Sequence, residues 1–166
     1  FISASGMKTK RGEIFIGTIN GFNTFYPQLI HQNKIKPPVV LTGVEIFNKE
    51  LSIDPDGILP EPIERMKEIH FPHSDNVISI LYAALSYCTP TKNQYAYKLE
   101  GFDNRWNYVG NQTKATYTNL PAGEYTFTVK ACNNDGIWNN KGTSIRVIIH
   151  PPFYLTLPFE ILYILI

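Results

Sequence analysis

From Val39 to His150, apolar and polar residues alternate in short runs and show no persuasive helical period. Tyr95, Tyr97 and Leu99 stand against Ala96, Lys98 and Glu100, and Ile145, Val147 and Ile149 against Ser144, Arg146 and His150. Successive side chains on a strand point to opposite faces, so each run offers one face to a core and one to solvent. The pattern predicts strands over 39–47, 67–71, 76–87, 94–100, 106–109, 114–118, 123–132 and 143–149. Turn-forming clusters divide them: Asp54-Pro55-Asp56-Gly57, His73-Ser74-Asp75-Asn76, Asp103-Asn104, Pro121-Ala122-Gly123 and Asn134-Asp135-Gly136. Residues 61–69 alone are charged enough to be arguable as helix. Many short strands with regular turns imply an all-β chain, a two-sheet antiparallel β-sandwich.

Ahead of this region, Gly12-Glu13-Ile14-Phe15-Ile16-Gly17-Thr18 and Phe22-Asn23-Thr24-Phe25-Tyr26 flank Asn20-Gly21, a strong hairpin signal. One hairpin cannot bury its own faces, so it is expected to belong to something larger. Lys36-Pro37-Pro38 reads as a stiff linker. The expected organisation is 1–36 as the earlier unit and linker, 37–150 as the sandwich, and 151–166 as a separate tail. That tail follows Pro151-Pro152 and is almost wholly apolar from Phe153 to Ile166. A spanning helix needs about 20 such residues. The tail is therefore expected to be the aromatic-rich first turns of a truncated membrane helix, with a hydrophobic segment packed on the domain as the alternative.

Composition supports strands: ten Tyr and ten Phe accompany a charged fraction of only 17%. Fifteen basic and fourteen acidic residues leave a net charge of +1 and no basic stripe, which disfavours nucleic acid as a partner. In 123–132, Tyr125, Phe127, Val129 and Ala131 fall on the inward parity and Cys132 on the outward one. Likewise Leu85 and Tyr87 are expected inward and Cys88 outward with Ser86, so a core disulfide between Cys88 and Cys132 is disfavoured.

Candidate chemistry is sparse. His70 and His73, with Asp75, lie three apart on a strand interrupted by Pro72, which points them to opposite faces and argues against metal binding. Asp54-Pro55-Asp56-Gly57 lacks the remaining ligands of a calcium loop and reads as a turn. Asn111-Gln112-Thr113 also reads as a turn. No nucleophile motif, phosphate-binding glycine loop or paired catalytic carboxylates appear, so no catalytic residue, metal ligand or cofactor is implied, and no ligand-binding residue is identified. Trp106 and Trp138 each follow a turn. Edge packing is the expected role, and stacking on a sugar ring is the alternative.

The run from Tyr117 through Leu120-Pro121-Ala122-Gly123-Glu124-Tyr125 to Ala131 resembles the penultimate hairpin of a fibronectin type III domain. Leu120 would plug the end of the sandwich, Gly123 would permit the corner, and the Tyr125 hydroxyl would bond to the backbone near Leu120. More specifically, Asn93-Gln94-Tyr95-Ala96-Tyr97-Lys98-Leu99-Glu100-Gly101-Phe102-Asp103, with Trp106, Tyr117, Tyr125 and Asn134-Asp135-Gly136-Ile137-Trp138, resembles the three-tyrosine (Y_Y_Y) domain. The family's tyrosines fall on Tyr97, Tyr117 and Tyr125, for which a structural role in the core is expected. Residues 12–22 resemble the repeat of the β-propellers that precede this domain in two-component sensors of the hybrid histidine kinase type, with Ile16 where an aromatic is ordinary. Pro151-Pro152-Phe153-Tyr154 resembles the family's approach to its membrane helix.

The resemblance implies a non-catalytic extracytoplasmic relay module on the periplasmic side of the bacterial inner membrane. It would couple a ligand-sensing propeller, whose ligand is expected to be a glycan, to a transmembrane helix and a cytoplasmic kinase. Its partners would be the adjoining propeller and kinase regions of the same parent chain, within a homodimer. The rival reading is a carbohydrate-binding or adhesive sandwich gripping glycans through Trp106 and Trp138.

Overall fold

Twelve β-strands and no α-helix form among residues 6–152, the part of the chain that the structure, a computed structural model, describes. The apolar tail expected as a membrane-helix start or a packed segment lies outside the described residues. Among those described, no helix is long and apolar enough to cross a membrane.

The chain divides into two units, 1–33 and 34–166. In the first, β1 (Gly6–Lys8), β2 (Ile14–Thr18) and β3 (Gly21–Phe25) form an antiparallel sheet in that order. Thr18 pairs with Gly21, so the β2–β3 turn sits at Ile19-Asn20, and Gly21 has φ 139°. No residue in 6–33 is buried.

The second unit is the sandwich. One sheet has the order β10 (Lys114–Thr118), β7 (Val77–Ala84), β4 (Val39–Ile46), β5 (Lys49–Glu50). The other has the order β6 (Glu68–Phe71), β12 (Trp138–Ile149), β11 (Gly123–Cys132), β8 (Gln94–Glu100), β9 (Asn107–Gly110). All pairings are antiparallel except β6 with β12, which is parallel. The core lies between the sheets, built from alternate positions such as Ile78, Ile80 and Tyr82 on β7 against Tyr125, Phe127 and Val129 on β11.

Two irregularities shift strand phase. In β4 the partner of Tyr82 is Leu41 and that of Leu81 is Gly43, leaving Thr42 as the extra residue. A bulge reverses parity, so the inward set changes from Val39 and Leu41 to Val44. In β12, Thr143 pairs with Val129 but Asn139 pairs with Ala131, so the strand loops out over Asn140–Gly142.

Several expectations need correction. Leu85 and Tyr87 do not point inward. They are 40% and 84% exposed, whereas Ser86 is buried. β7 ends at Ala84, its inward residues have even numbers, and the Ala83-Ala84 pair carries no size contrast by which the pattern could register the phase. Cys132 has the outward parity but is only 1% exposed, beside the equally buried Asn133, so the outer face is covered at that end. Cys88 is exposed, and the two cysteines form no disulfide. Residues 61–69 hold turns and the start of β6, with Leu59 and Ile63 buried as anchors of the long 51–67 connection. Asp54–Gly57 is a turn: the Gly57 N–H bonds Asp54 O at 2.9 Å and the Asp56 N–H bonds Asp54 Oδ1 at 3.2 Å.

Candidate functional site

Tyr97 on β8 and Tyr117 on β10 come from opposite sheets and meet edge to face, with ring centroids 6.0 Å apart. Both contact Phe127, at 6.0 and 6.4 Å, and Tyr82 joins from β7, 6.3 Å from Tyr97 and 5.2 Å from Tyr95. Tilted and T-shaped packing of this kind places ring edges against ring faces. The cluster welds the two sheets together.

The hydroxyls in the cluster are handled unequally. That of Tyr117 donates to Asp103 Oδ2 at 2.9 Å, and the same oxygen accepts the Leu99 N–H at 2.8 Å. Tyr95 Oη accepts the Ala84 N–H at 3.1 Å, a second tie between the sheets. The Tyr82 hydroxyl is buried without a partner among the described residues. Burial, reinforced by the Asp103 carboxylate, raises Tyr117 far above the ordinary phenol value. Burial also raises Tyr82, helped by Tyr97 and Tyr95, and raises Tyr97, helped by Asp103.

Tyr125 lies apart from this cluster, at the corner between β10 and β11, where its hydroxyl donates to Pro121 O at 2.9 Å. The structure therefore brings two of the three tyrosines together and gives the third a separate task. The corner uses two glycines: Gly123 has φ +158°, and on Gly101, with φ +94°, a Cβ would lie 3.1 Å from the Tyr125 ring.

On the outer face, Lys130 Nζ sits 4.3 Å from the Trp106 ring centroid and 5.5 Å from those of Tyr108 and Trp138. Tyr108 and Trp138 also pack edge to face at 5.7 Å. A cation over a ring occupies one of the two faces on which a sugar could stack. Trp106 and Trp138 thus hold the sheet's outer face together with Lys130.

Where the linker joins the sandwich, its carbonyls are taken one after another. Ile35 O accepts from Asn133 Nδ2 and Pro37 O from Asn139 Nδ2, both at 2.9 Å, and Pro38 O accepts the Leu85 N–H at 2.8 Å. Asn133 Oδ1 accepts the N–H groups of Asp135 and Ile137, both at 3.0 Å. Reading the turn signal at Asn134-Asp135-Gly136 did not single out Asn133 or Asn139. Asp103 was likewise visible as a turn residue and as the end of the run from Asn93, not as the partner of Tyr117.

At the other end of β12, His150 stacks on His70 with Nε2 and Nδ1 3.0 Å apart, and His70 Nε2 lies 3.4 Å from Glu68 Oε1. His73 does not join the pair but lines a hollow of about 350 Å³ with His150, Pro151 and Pro152. Among the described residues, no group of three or more His, Cys, Asp or Glu side chains is arranged to hold a metal ion.

Residues 86–150, which carry β8 to β12, match the Y_Y_Y domain family. Histidine kinase P4 of Formosa agariphila is 34% identical over 148 residues, 89% of this chain and 11% of that protein. The extracellular domain of the proposed hybrid two-component system BT3049 from B. thetaiotaomicron superposes with a TM-score of 0.72 at 30% identity, covering 91% of this chain and 20% of that one. That of the proposed hybrid two-component system BT4673 from the same organism gives 0.65 at 27%, covering 87% and 19%. The chain therefore spans about a tenth of the kinase and a fifth of each ectodomain.

Proposed function

We propose that this chain, in which residues 86–150 are a Y_Y_Y domain, is a non-catalytic extracytoplasmic relay module of a two-component sensor. The observation that carries the reading is the alignment of about nine tenths of this chain with a histidine kinase and with the ectodomains of two-component systems. In the parent, a β-propeller ahead of the sandwich binds the ligand, a glycan. The sandwich passes the resulting shift to a transmembrane helix in the inner membrane, and a cytoplasmic kinase responds. The parent acts as a homodimer, so that a change in separation or tilt of the paired sandwich ends becomes a change in helix spacing. Ligand drives this only by binding one arrangement more tightly than the other.

Pro151-Pro152 fits the output role. Two prolines fix φ in succession and resist bending, so displacement of β12 is carried onward and not absorbed. The direct glycan-gripping alternative is weakened by Lys130, which lies over one face of the Trp106 indole and near that of Trp138.

The test is autophosphorylation of the full-length parent in membranes, stimulated with an oligosaccharide selected by screening its soluble ectodomain against a glycan panel. Replacing Pro151-Pro152 with a flexible Gly-Ser insert should abolish the stimulated increase and leave the ectodomain's affinity for that oligosaccharide unchanged. A normal stimulated response from the Gly-Ser variant would reduce this domain to a spacer.

A further inference from the structure

We infer that Asn133 and Asn139 are the input anchors of the relay, tying the incoming linker to the strand that carries the outgoing segment. The inference rests on the relay reading above and names the residues through which it works.

Pro37 and Pro38 have no N–H, so the linker cannot enter a sheet by an ordinary two-sided ladder, yet its carbonyls still require donors. The side-chain amides of Asn133 and Asn139 supply two, and the backbone N–H of Leu85 supplies a third from the end of β7. The linker is thereby tied to both sheets of the sandwich.

The identity of the two asparagines carries the case. Oδ1 of Asn133 closes the turn at 133–137 by accepting two backbone N–H groups, and Oδ1 of Asn139 accepts the Lys141 N–H at 3.2 Å. These acceptor bonds also settle which end of each amide is oxygen. An aspartate would serve a turn of this kind equally well. What only an asparagine adds is the Nδ2 donor, and at both positions that donor points at a linker carbonyl.

The anchors sit at one end of β12, with Asn139 its second residue and Asn133 in the turn before it. The other end is Ile149, followed by His150-Pro151-Pro152. Between them β12 pairs with β11 along its length and with β6 over Arg146–Ile149. At about 3.3 Å per residue, a strand of this length crosses most of the sandwich. Displacement arriving at Ile35–Pro37 is delivered to the head of the strand whose tail leads out of the domain.

The test uses Asn133→Asp combined with Asn139→Asp, which keeps every acceptor bond, removes both donors and sets a carboxylate against each linker carbonyl. In the 166-residue chain, trypsin can cut Lys34–Ile35, whereas the Lys36–Pro37 bond resists it. The initial cleavage rate at Lys34–Ile35, read without urea where the variant is folded, should rise about tenfold and by more than cleavage at sites within the sandwich, as expected for local opening of a released segment. An unchanged rate in the folded variant would overturn the inference. Should the double variant not fold, Asn139→Asp alone, at a half-buried position, should still raise the rate several-fold, and no rise there overturns it equally. In the full-length parent, the double variant should lose the oligosaccharide-stimulated increase in autophosphorylation. A normal increase in that variant, with the Gly-Ser variant at Pro151-Pro152 uncoupled, would remove the anchors and leave the relay standing. Normal responses in both would bring down the relay reading itself.

Discussion

Tyr117 shows what the domain's tyrosines do at the scale of single atoms. Its phenol bridges from β10 to Asp103, whose carboxylate also caps the Leu99 N–H, so one acidic side chain gathers donors from both sheets. Alternation along 94–100 and 123–132 made the inward faces of Tyr97 and Tyr125 legible, because a period of two needs no knowledge of the partner strand. Asp103 was not legible as a core ligand, since its Tyr117 donor comes from the opposite sheet and a turn aspartate usually serves its own turn, as this one also does through the Leu99 N–H. The raised phenols have a consequence for stability. A group that holds its proton more tightly when folded contributes fully below its unfolded value of 10.0, and that contribution is lost as pH rises above it. The urea midpoint should therefore fall between about pH 9 and about pH 11, as Tyr117, Tyr82 and Tyr97 ionise more readily in the unfolded chain. Tyr117→Phe should cost about 1–2 kcal/mol at neutral pH through the lost bond to Asp103. It should also flatten the alkaline decline, and an equally steep decline in this variant would exclude Tyr117 as a source of it.

At the scale of elements, strand positions were read closely and strand irregularities were not. β8, β10 and β11 run over 94–100, 114–118 and 123–132, as the alternation predicts. The β4–β5 hairpin went unseen because its turn is Phe47-Asn48, with φ 51° and 62°, where a bulky aromatic takes the left-handed place usually held by Asn or Gly. β12 begins at Trp138, five residues before the predicted strand at 143, because the bulge at Asn140–Gly142 breaks the alternation that would have revealed its first segment. Gly142 makes that bulge possible: φ is 58°, and a Cβ there would collide with the carbonyl oxygen of Val129 on the partner strand. Neither the backbone of β11 nor the left-handed conformation can yield cheaply, so Gly142→Ala should destabilise the sandwich by about 2–4 kcal/mol in urea melts. Gly136, with φ 78° and open space around it, provides the contrast. Gly136→Ala should cost only about 1 kcal/mol, the conformational part alone. Equal losses would mean the collision at Val129 is relieved by a shift of β12.

At the scale of the whole molecule, the two units differ in what holds them together. The sandwich core draws its buried members from Val39 to Ile149 and joins both sheets through the aromatic cluster. The sheet of β1, β2 and β3 buries nothing in 6–33, and Ile19 and Phe22 stand 86% and 68% exposed. A small sheet with no buried face is marginal alone in water, as the lone hairpin at Asn20-Gly21 implied. The second unit opens at Lys34, and Ile35 is among the residues whose carbonyls the sandwich holds. Deleting residues 1–33 should therefore leave a chain that melts in one cooperative transition, with a stability within about 0.5 kcal/mol of the intact chain. A peptide of residues 1–33 should show no stable sheet by circular dichroism. A shortened chain that melts broadly or precipitates would mean that the first unit contributes to the sandwich core, and would move the boundary toward the N-terminus.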